Sequence, residues 1–181
     1  MEKGFTQTDV FNLVESSKLA SINAVANDYA EYLQEYDTEF KKVKSPLEGR
    51  FLISLLKKNF NDSMTGNVIS EAGFLFTIRA QYEVDYGTKK YYPDFCLTIF
   101  DGSSEKAISR IFVEIDGHEF HEKTKDQVRH DKVRERHLLE YCDGIVRFSG
   151  SEVYDDSDEC ARESLEILSK KFAKYLLRRG N

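Results

Sequence analysis

The chain has 181 residues, 40% of them hydrophobic and 32% charged, a composition typical of a folded protein with one good core and not of a disordered chain. It has no apolar run long enough to span a membrane and no signal-peptide segment, and its three widely spaced cysteines form no CxxC pair. We therefore expect a reducing, cytoplasmic setting without a disulfide framework or a zinc knuckle. The net charge of −6 counts mildly against a nucleic-acid partner.

The first segment of the chain has the pattern of a helix. Between residues 8 and 43, apolar side chains recur at three- and four-residue steps and glycine and proline are absent. One long helix or a helical hairpin satisfies this pattern. We therefore predict an N-terminal helical extension, residues 1–44, and a main domain, residues 45–181.

The main domain begins with a strong helix start. Ser45 is a typical N-cap, Pro46 suits the first turn, and Glu48 lies at the position that completes a capping box. This helix is predicted to end near Asn59, and residues 61–73 are predicted to form a loop.

Alternating and β-rich segments follow, separated by turns. Residues 74–84 alternate apolar and polar side chains, and further strands are predicted over 92–100, 108–116 and 145–148. Thr124 and Gln127 can cap a helix that runs to about Tyr141, and a last helix is predicted from about Asp156. The order favours an α/β protein with a mixed four-stranded sheet flanked by helices.

Three acidic residues fall on two of these strands. Asp94 follows Pro93 at the start of one strand, and Glu114 and Asp116 lie on the next. Glu114 and Asp116 share a face because side chains alternate along a strand. Clustered carboxylates in a core repel unless a cation or a proton intervenes, and Mg²⁺, with Mn²⁺ as a substitute, suits such a group. The alternatives are a turn role for Asp94 and, less suited to the spacing, a structural Ca²⁺ site.

Taken in order, these motifs resemble the PD-(D/E)XK nuclease superfamily of restriction-endonuclease-like folds. The closer similarity is to the branch related to the very-short-patch-repair endonuclease. It extends from about Ser45 to Val153 and rests on the following motifs: Glu48, Pro93-Asp94, Glu114-Ile-Asp-Gly117 with His121, Asp131-Lys-Val-Arg134 with Leu138, and Gly144-Ile-Val-Arg147-Phe148.

The resemblance implies a Mg²⁺-dependent endonuclease that cuts DNA, with RNA as the less favoured substrate. Catalytic roles would fall on Glu48, Asp94, Glu114, Asp116 and His121, and the metal would be held by Asp94, Glu114 and the carbonyl of Ile115. The residues expected to bind nucleic acid are Lys125, Arg129, Lys132, Arg134 and Arg147. Many nucleases of this fold act as dimers, so a homodimer is an alternative to a monomer.

One departure from the superfamily concerns Asp116, which lies where a lysine is usual. An acid cannot replace an ammonium group that stabilises the attacking hydroxide or the transition state. Asp116 could be a metal ligand or an orienting base, or a basic residue could come from elsewhere, with Lys132 and Arg134 as candidates. Glu48 also has two interpretations, as a capping residue only or as a residue of the site.

Basic residues are concentrated in the second half of the chain. Residues 123–137 hold six Lys/Arg against three acids, and residues 170–179 hold five Lys/Arg and no acid. These segments are either solvated helix faces or phosphate-binding surfaces. His118 and His121 follow the Glu-x-Asp strand, so either could act as a general base. The hypotheses are therefore a nuclease, an inert nuclease-fold module that binds nucleic acid or a protein, and, more remotely, an unrelated metalloprotein.

Overall fold

The protein is described by a computed structural model that covers residues 7–64, 73–104, 106–117 and 124–179. The chain separates into two compact units, Met1–Asp37 and Thr38–Asn181. The first unit contains helix α1 (Gln7–Glu35), and the rings of Tyr29, Tyr32 and Tyr36 contact one another along it. The helical pattern predicted between residues 8 and 43 is confirmed over α1. Among the described residues, no helix combines the length and apolar character needed to cross a membrane.

The second unit contains both helices and strands. Its elements are α2 (Asp37–Phe40), α3 (Pro46–Met64), β1 (Phe74–Ala80), β2 (Val84–Asp85), β3 (Lys90–Tyr91), β4 (Phe95–Asp101), β5 (Ala107–Asp116), α4 (Lys125–Leu138), β6 (Gly144–Ser149) and α5 (Gly150–Arg179).

The main sheet has four strands in the order β1-β4-β5-β6. The pairs β1–β4 and β4–β5 are antiparallel, whereas β5–β6 is parallel. A parallel pair needs a crossover connection, and α4 lies in the segment that links β5 to β6. The predicted α/β architecture with a mixed four-stranded sheet is therefore confirmed.

The chain leaves the main sheet at Gln81, earlier than the alternating pattern predicts. The prediction of a single strand over residues 74–84 is wrong, because β1 ends at Ala80 and Val84 belongs to a separate two-stranded hairpin of β2 and β3. Gln81 has φ +48°, a left-handed conformation that is uncommon for a residue with a side chain. This bend interrupts the strand although the apolar alternation continues through it.

Both faces of the sheet are buried. On one face, the ring of Phe51 from α3 packs against Phe95 and Phe148, with ring centroids 5.2 and 5.9 Å apart. On the other face, Cys96 and Phe112 form a cluster with Val84 and Leu138.

Cys96 on the second face is 1% exposed, so it is buried like Phe95 on the first face. Burial raises the pKa of the Cys96 thiol to about 11, so this cysteine is an unreactive core residue.

Capping boxes mark the starts of the later helices. The predicted Thr124–Gln127 capping box is present at the start of α4. A second one, Ser149 with Glu152, begins α5 directly after β6. The predicted helix start near Asp156 is confirmed, because two helices meet there at a kink: Asp156 has non-helical angles, and its Oδ1 accepts the Glu159 N–H at 2.9 Å, as an N-cap does.

Candidate active site

Glu48 is held in the first turn of α3 by a group of hydrogen bonds. Its N–H donates to Ser45 Oγ at 3.1 Å, and Ser45 Oγ donates back to Oε1 at 3.1 Å. Its Oε2 accepts the Lys44 N–H at 3.0 Å and the Gln81 side-chain amide at 3.1 Å. Only 7% of Glu48 is exposed. Glu48 therefore caps the helix and also lies beside the end of β1.

Asp94 is half-buried in the segment that precedes β4, and Pro93 before it is also outside the strand. Its Oδ2 accepts the backbone N–H of Ile115 in β5 at 2.8 Å. Its Oδ1 accepts the Gln81 amide at 3.2 Å. Asp94 is thus fixed between the end of β1 and the end of β5.

Gln81 joins the two acids, and the sequence analysis missed it. Its Nε2 donates to both Glu48 and Asp94, and its backbone N–H donates to the Asp94 carbonyl at 2.8 Å. The bend at its positive φ places it there. Among the described residues, its buried Oε1 has no hydrogen-bond partner. Gln81 falls within an alternating segment whose pattern favours a continued strand, so the local sequence carries no signal for this role.

The surroundings of Asp94 disfavour its ionised form. Burial raises the pKa of this carboxyl, and the charges of Glu48 and Glu114 raise it further. The hydrogen bonds from Ile115 and Gln81 lower the pKa but do not cancel these effects. The carboxyl groups of Glu48 on α3, Asp94 before β4 and Glu114 on β5 therefore share one electrostatic neighbourhood.

Glu114 lies in β5 with its side chain 8% exposed and contacts two arginines. Arg147 is its register partner in the parallel strand β6, and Arg147 Nε donates to Glu114 Oε2 at 3.0 Å. Arg134 of α4 forms an ion pair with Oε1 through Nη1. No donor in the described part of the chain makes a hydrogen bond of regular geometry to Oε1, so Arg134 holds this oxygen by charge alone.

Arg147 links Glu114 to a further acid. Its Nη1 lies 3.6 Å from Glu135 Oε2 on α4. Burial opposes the charged form of Arg147, but the neighbouring charges of Glu114, Glu135 and Asp116 outweigh it and raise the pKa of the guanidinium further. Arg147 therefore remains a cation beside the acidic group.

The remaining predicted site residues lie in different surroundings. Asp116 is exposed at the end of β5, where its register partner is Ser149. Ile115 contacts Asp94 through its backbone N–H. Both His118 and His121 lie outside the described residues.

The predicted nucleic-acid-binding residues of α4 divide into two kinds. Lys125, Arg129 and Lys132 are exposed. Arg134 is 31% exposed and reaches Glu114, which places a basic group from α4 beside the carboxylates.

The donor chemistry of this group is suited to a hard divalent cation. Glu48, Asp94 and Glu114 offer carboxylate oxygens, which Mg²⁺ and Mn²⁺ prefer, and the buried Oε1 of Gln81 is a further neutral oxygen. In the described conformation, however, no three or more His, Cys, Asp or Glu side chains within the covered ranges are arranged to hold a metal ion. Arginine and amide donors contact the carboxylates instead.

No family model, no curated protein and no solved structure matches the chain.

Proposed function

We propose that the protein is a metal-dependent nuclease with a restriction-endonuclease-like fold, and that it hydrolyses phosphodiester bonds in DNA, with RNA as the less favoured substrate. One observation carries the proposal. Glu48, Asp94 and Glu114 come from three separate elements and share one electrostatic neighbourhood, with Arg134 and Arg147 beside them. The order of helix, antiparallel strands, helix and parallel strand agrees with the order of the motifs in the resembling superfamily.

In this proposal Asp94 and Glu114, with the carbonyl of Ile115, hold Mg²⁺. A bound Mg²⁺ lowers the pKa of a water molecule and offsets charge on a phosphoryl group. The hydrogen bond from the Ile115 N–H fixes the Asp94 carboxylate, and Gln81 keeps Glu48 next to it. The positions of these acids are therefore set by the fold before any ligand arrives.

Arg134 and Arg147 supply the positive charge that a lysine usually provides at the position of Asp116. Arg134 reaches Glu114 from α4, so its guanidinium can bind a phosphate oxygen next to the carboxylates. Arg147 stabilises the Glu114 carboxylate from β6. The remaining predicted catalytic residues, Asp116 and His121, stay as candidates for orienting the attacking water.

A second candidate function is an inert module of the same fold that binds nucleic acid or a protein. The observation that favours it is the state of Glu114, whose two oxygens are both engaged by arginines. A carboxylate that is permanently neutralised in this way serves the fold as an ion pair and not as a metal ligand.

Cleavage assays separate the two candidates. Supercoiled, linear, branched and single-stranded DNA, and RNA, are incubated with the protein in Mg²⁺, in Mn²⁺ and in EDTA. We expect metal-dependent cutting of at least one DNA substrate, and we expect Glu114→Gln to reduce its rate by more than about a hundredfold, since even outer partners of a metal site contribute ten- to a hundredfold.

Glu163→Gln is the matched control because Glu163 is an exposed acid on α5. Circular dichroism and thermal melting verify that both variants fold. Metal-dependent cutting that survives Glu114→Gln would place the active site elsewhere, whereas intact binding of DNA without any cutting would favour the inert module.

A further inference from the structure

A cleft adjoins the acidic group on the side of α4. It lies between the β2–β3 hairpin and α4 and has a volume of about 400 Å³. The residues of its walls include Lys89, Asp126, Arg129 and Arg134. This volume is within the range of sites that hold a small organic ligand and is too small for a duplex. It suits a single nucleotide unit.

The chemistry of the cleft matches a nucleotide with its phosphate. Lys89, Arg129 and Arg134 provide cations for phosphate oxygens, and Asp126 provides an acceptor for the amino group of a base. The cations come from two separate elements: Lys89 lies between β2 and β3, and Arg129 and Arg134 lie on α4.

Arg134 belongs to the cleft and to the acidic group at once. It lines the cleft while Nη1 contacts the Oε1 of Glu114. That contact lacks regular hydrogen-bond geometry, whereas Arg147 donates to the other oxygen at 3.0 Å. A guanidinium binds phosphate as readily as carboxylate, often through two N–H groups. A phosphate in the cleft therefore competes with Glu114 for Arg134.

From this geometry we infer that the cleft binds one nucleotide unit of a nucleic-acid strand through its phosphate, and that Arg134 exchanges its Glu114 contact for that phosphate. The exchange leaves Glu114 Oε1 without its cation, so the carboxylate becomes free for the divalent ion of the proposed function, on which this inference rests. By linkage, phosphate binding at Arg134 and cation binding at Glu114 strengthen each other.

The first test measures binding of a fluorescein-labelled single-stranded DNA 12-mer in EDTA by fluorescence anisotropy. Arg134→Ala and Arg129→Ala should each weaken binding by about tenfold or more, the effect of a charge-assisted hydrogen bond, and should reduce the salt slope by about one unit. Arg162→Ala is the matched control, since Arg162 is an ion-paired arginine on α5.

The second test measures the affinity of Mn²⁺ in the absence of DNA by the electron paramagnetic resonance signal of the free ion. Arg134→Ala should bind Mn²⁺ several-fold more tightly than the wild type because Glu114 has lost a competing cation. Arg162→Ala should leave the affinity for Mn²⁺ unchanged because Arg162 pairs with Glu159 and Glu166 on α5. Thermal melting verifies that the variants are folded.

Opposite shifts in Arg134→Ala, weaker DNA binding with tighter Mn²⁺ binding, would support the inference. Unchanged DNA affinity in both cleft variants, or Mn²⁺ affinity that Arg134→Ala does not increase, would overturn it. DNA binding in EDTA requires no cutting, so this test does not depend on the nuclease activity. If the cleft variants bind DNA normally and the protein still cuts DNA in a metal-dependent way, the nuclease proposal stands and only this inference fails.

Discussion

Glu39 and Asp94 are two acids next to the end of β1, and their surroundings are opposite. Glu39 is 1% exposed and accepts the Ala80 N–H at 2.7 Å, Arg79 Nη1 at 3.1 Å and Lys42 Nζ at 3.0 Å. Burial opposes its ionisation, but these donors prevail and lower the pKa of Glu39. Its charge is fully compensated within the fold.

Asp94 has two neutral donors and two acidic neighbours. Burial and the charges of Glu48 and Glu114 raise its pKa despite the hydrogen bonds from Ile115 and Gln81. A carboxylate that serves only the fold would be stabilised as Glu39 is. The uncompensated charge at Asp94 is the arrangement expected where an external cation completes the group.

The largest expected effect comes from neutralising Asp94. Asp94→Asn should lower the rate of metal-dependent cleavage by more than about a hundredfold. Because the folded state raises the pKa of Asp94, removing the charge favours the fold, whereas the single acceptor oxygen of Asn leaves Ile115 N–H or the Gln81 amide without its partner. The two effects oppose each other, so the free energy of unfolding should change less than in Glu39→Gln. Urea denaturation and cleavage rates measure the two quantities. A variant that cuts normally, or one that is destabilised as much as Glu39→Gln, would remove the contrast with Glu39.

At Glu39 we expect the opposite result, a loss of stability with little change in the cleavage rate. Glu39→Gln should lower the free energy of unfolding by about 1–3 kcal/mol, since buried hydrogen bonds with charged partners are lost. The cleavage rate of the folded variant should stay within a few-fold of the wild type because Glu39 contacts none of the proposed ligands. Urea denaturation at neutral pH provides the measurement, and an unchanged midpoint would contradict it.

The stabilisation from Glu39 should also depend on pH. A lowered pKa in the folded state means that the stabilisation is present above the unfolded-state value, about 4.3 for Glu, and is lost as the pH falls through the lower folded-state pKa. The difference in unfolding free energy between the wild type and Glu39→Gln should therefore shrink as the pH decreases below that value. A difference that stays constant across this range would show that packing and not charge sets it.

The smallest effect is expected at an exposed charge of α4. Lys132→Ala should reduce the salt slope of DNA binding by about one unit while leaving the unfolding free energy unchanged. Lys106→Ala, an exposed lysine in the turn before β5, is the matched control. Equal slopes for the wild type and Lys132→Ala would assign Lys132 to a solvated helix face.

Much of the fold could be predicted because its signals are local. The Ser45 and Thr124 caps, and the strands around β4, β5 and β6, follow from short patterns of side chains. The end of β1 was missed because the alternating pattern continues beyond Ala80, while the bend at Gln81 depends on partners brought by other elements.

The candidate site could be predicted only in part. Position along the strands suggested Asp94 and Glu114 as neighbours, and Arg134, one of the two candidates for a basic residue from elsewhere, contacts Glu114. The role of Gln81 could not be predicted because neither its residue type nor its spacing differs from those of an ordinary strand residue.

By itself, the sequence determined the elements and the acids they carry, because capping and strand alternation act between residues a few positions apart. The tertiary structure alone decided the partners of those acids. Arg147 and Glu114 are 33 positions apart, and Gln81 and Glu48 are also 33 apart, so their contacts exist only after distant elements have packed. The charge state of the candidate site depends on these contacts, and for that reason it is a property of the fold and not of any motif.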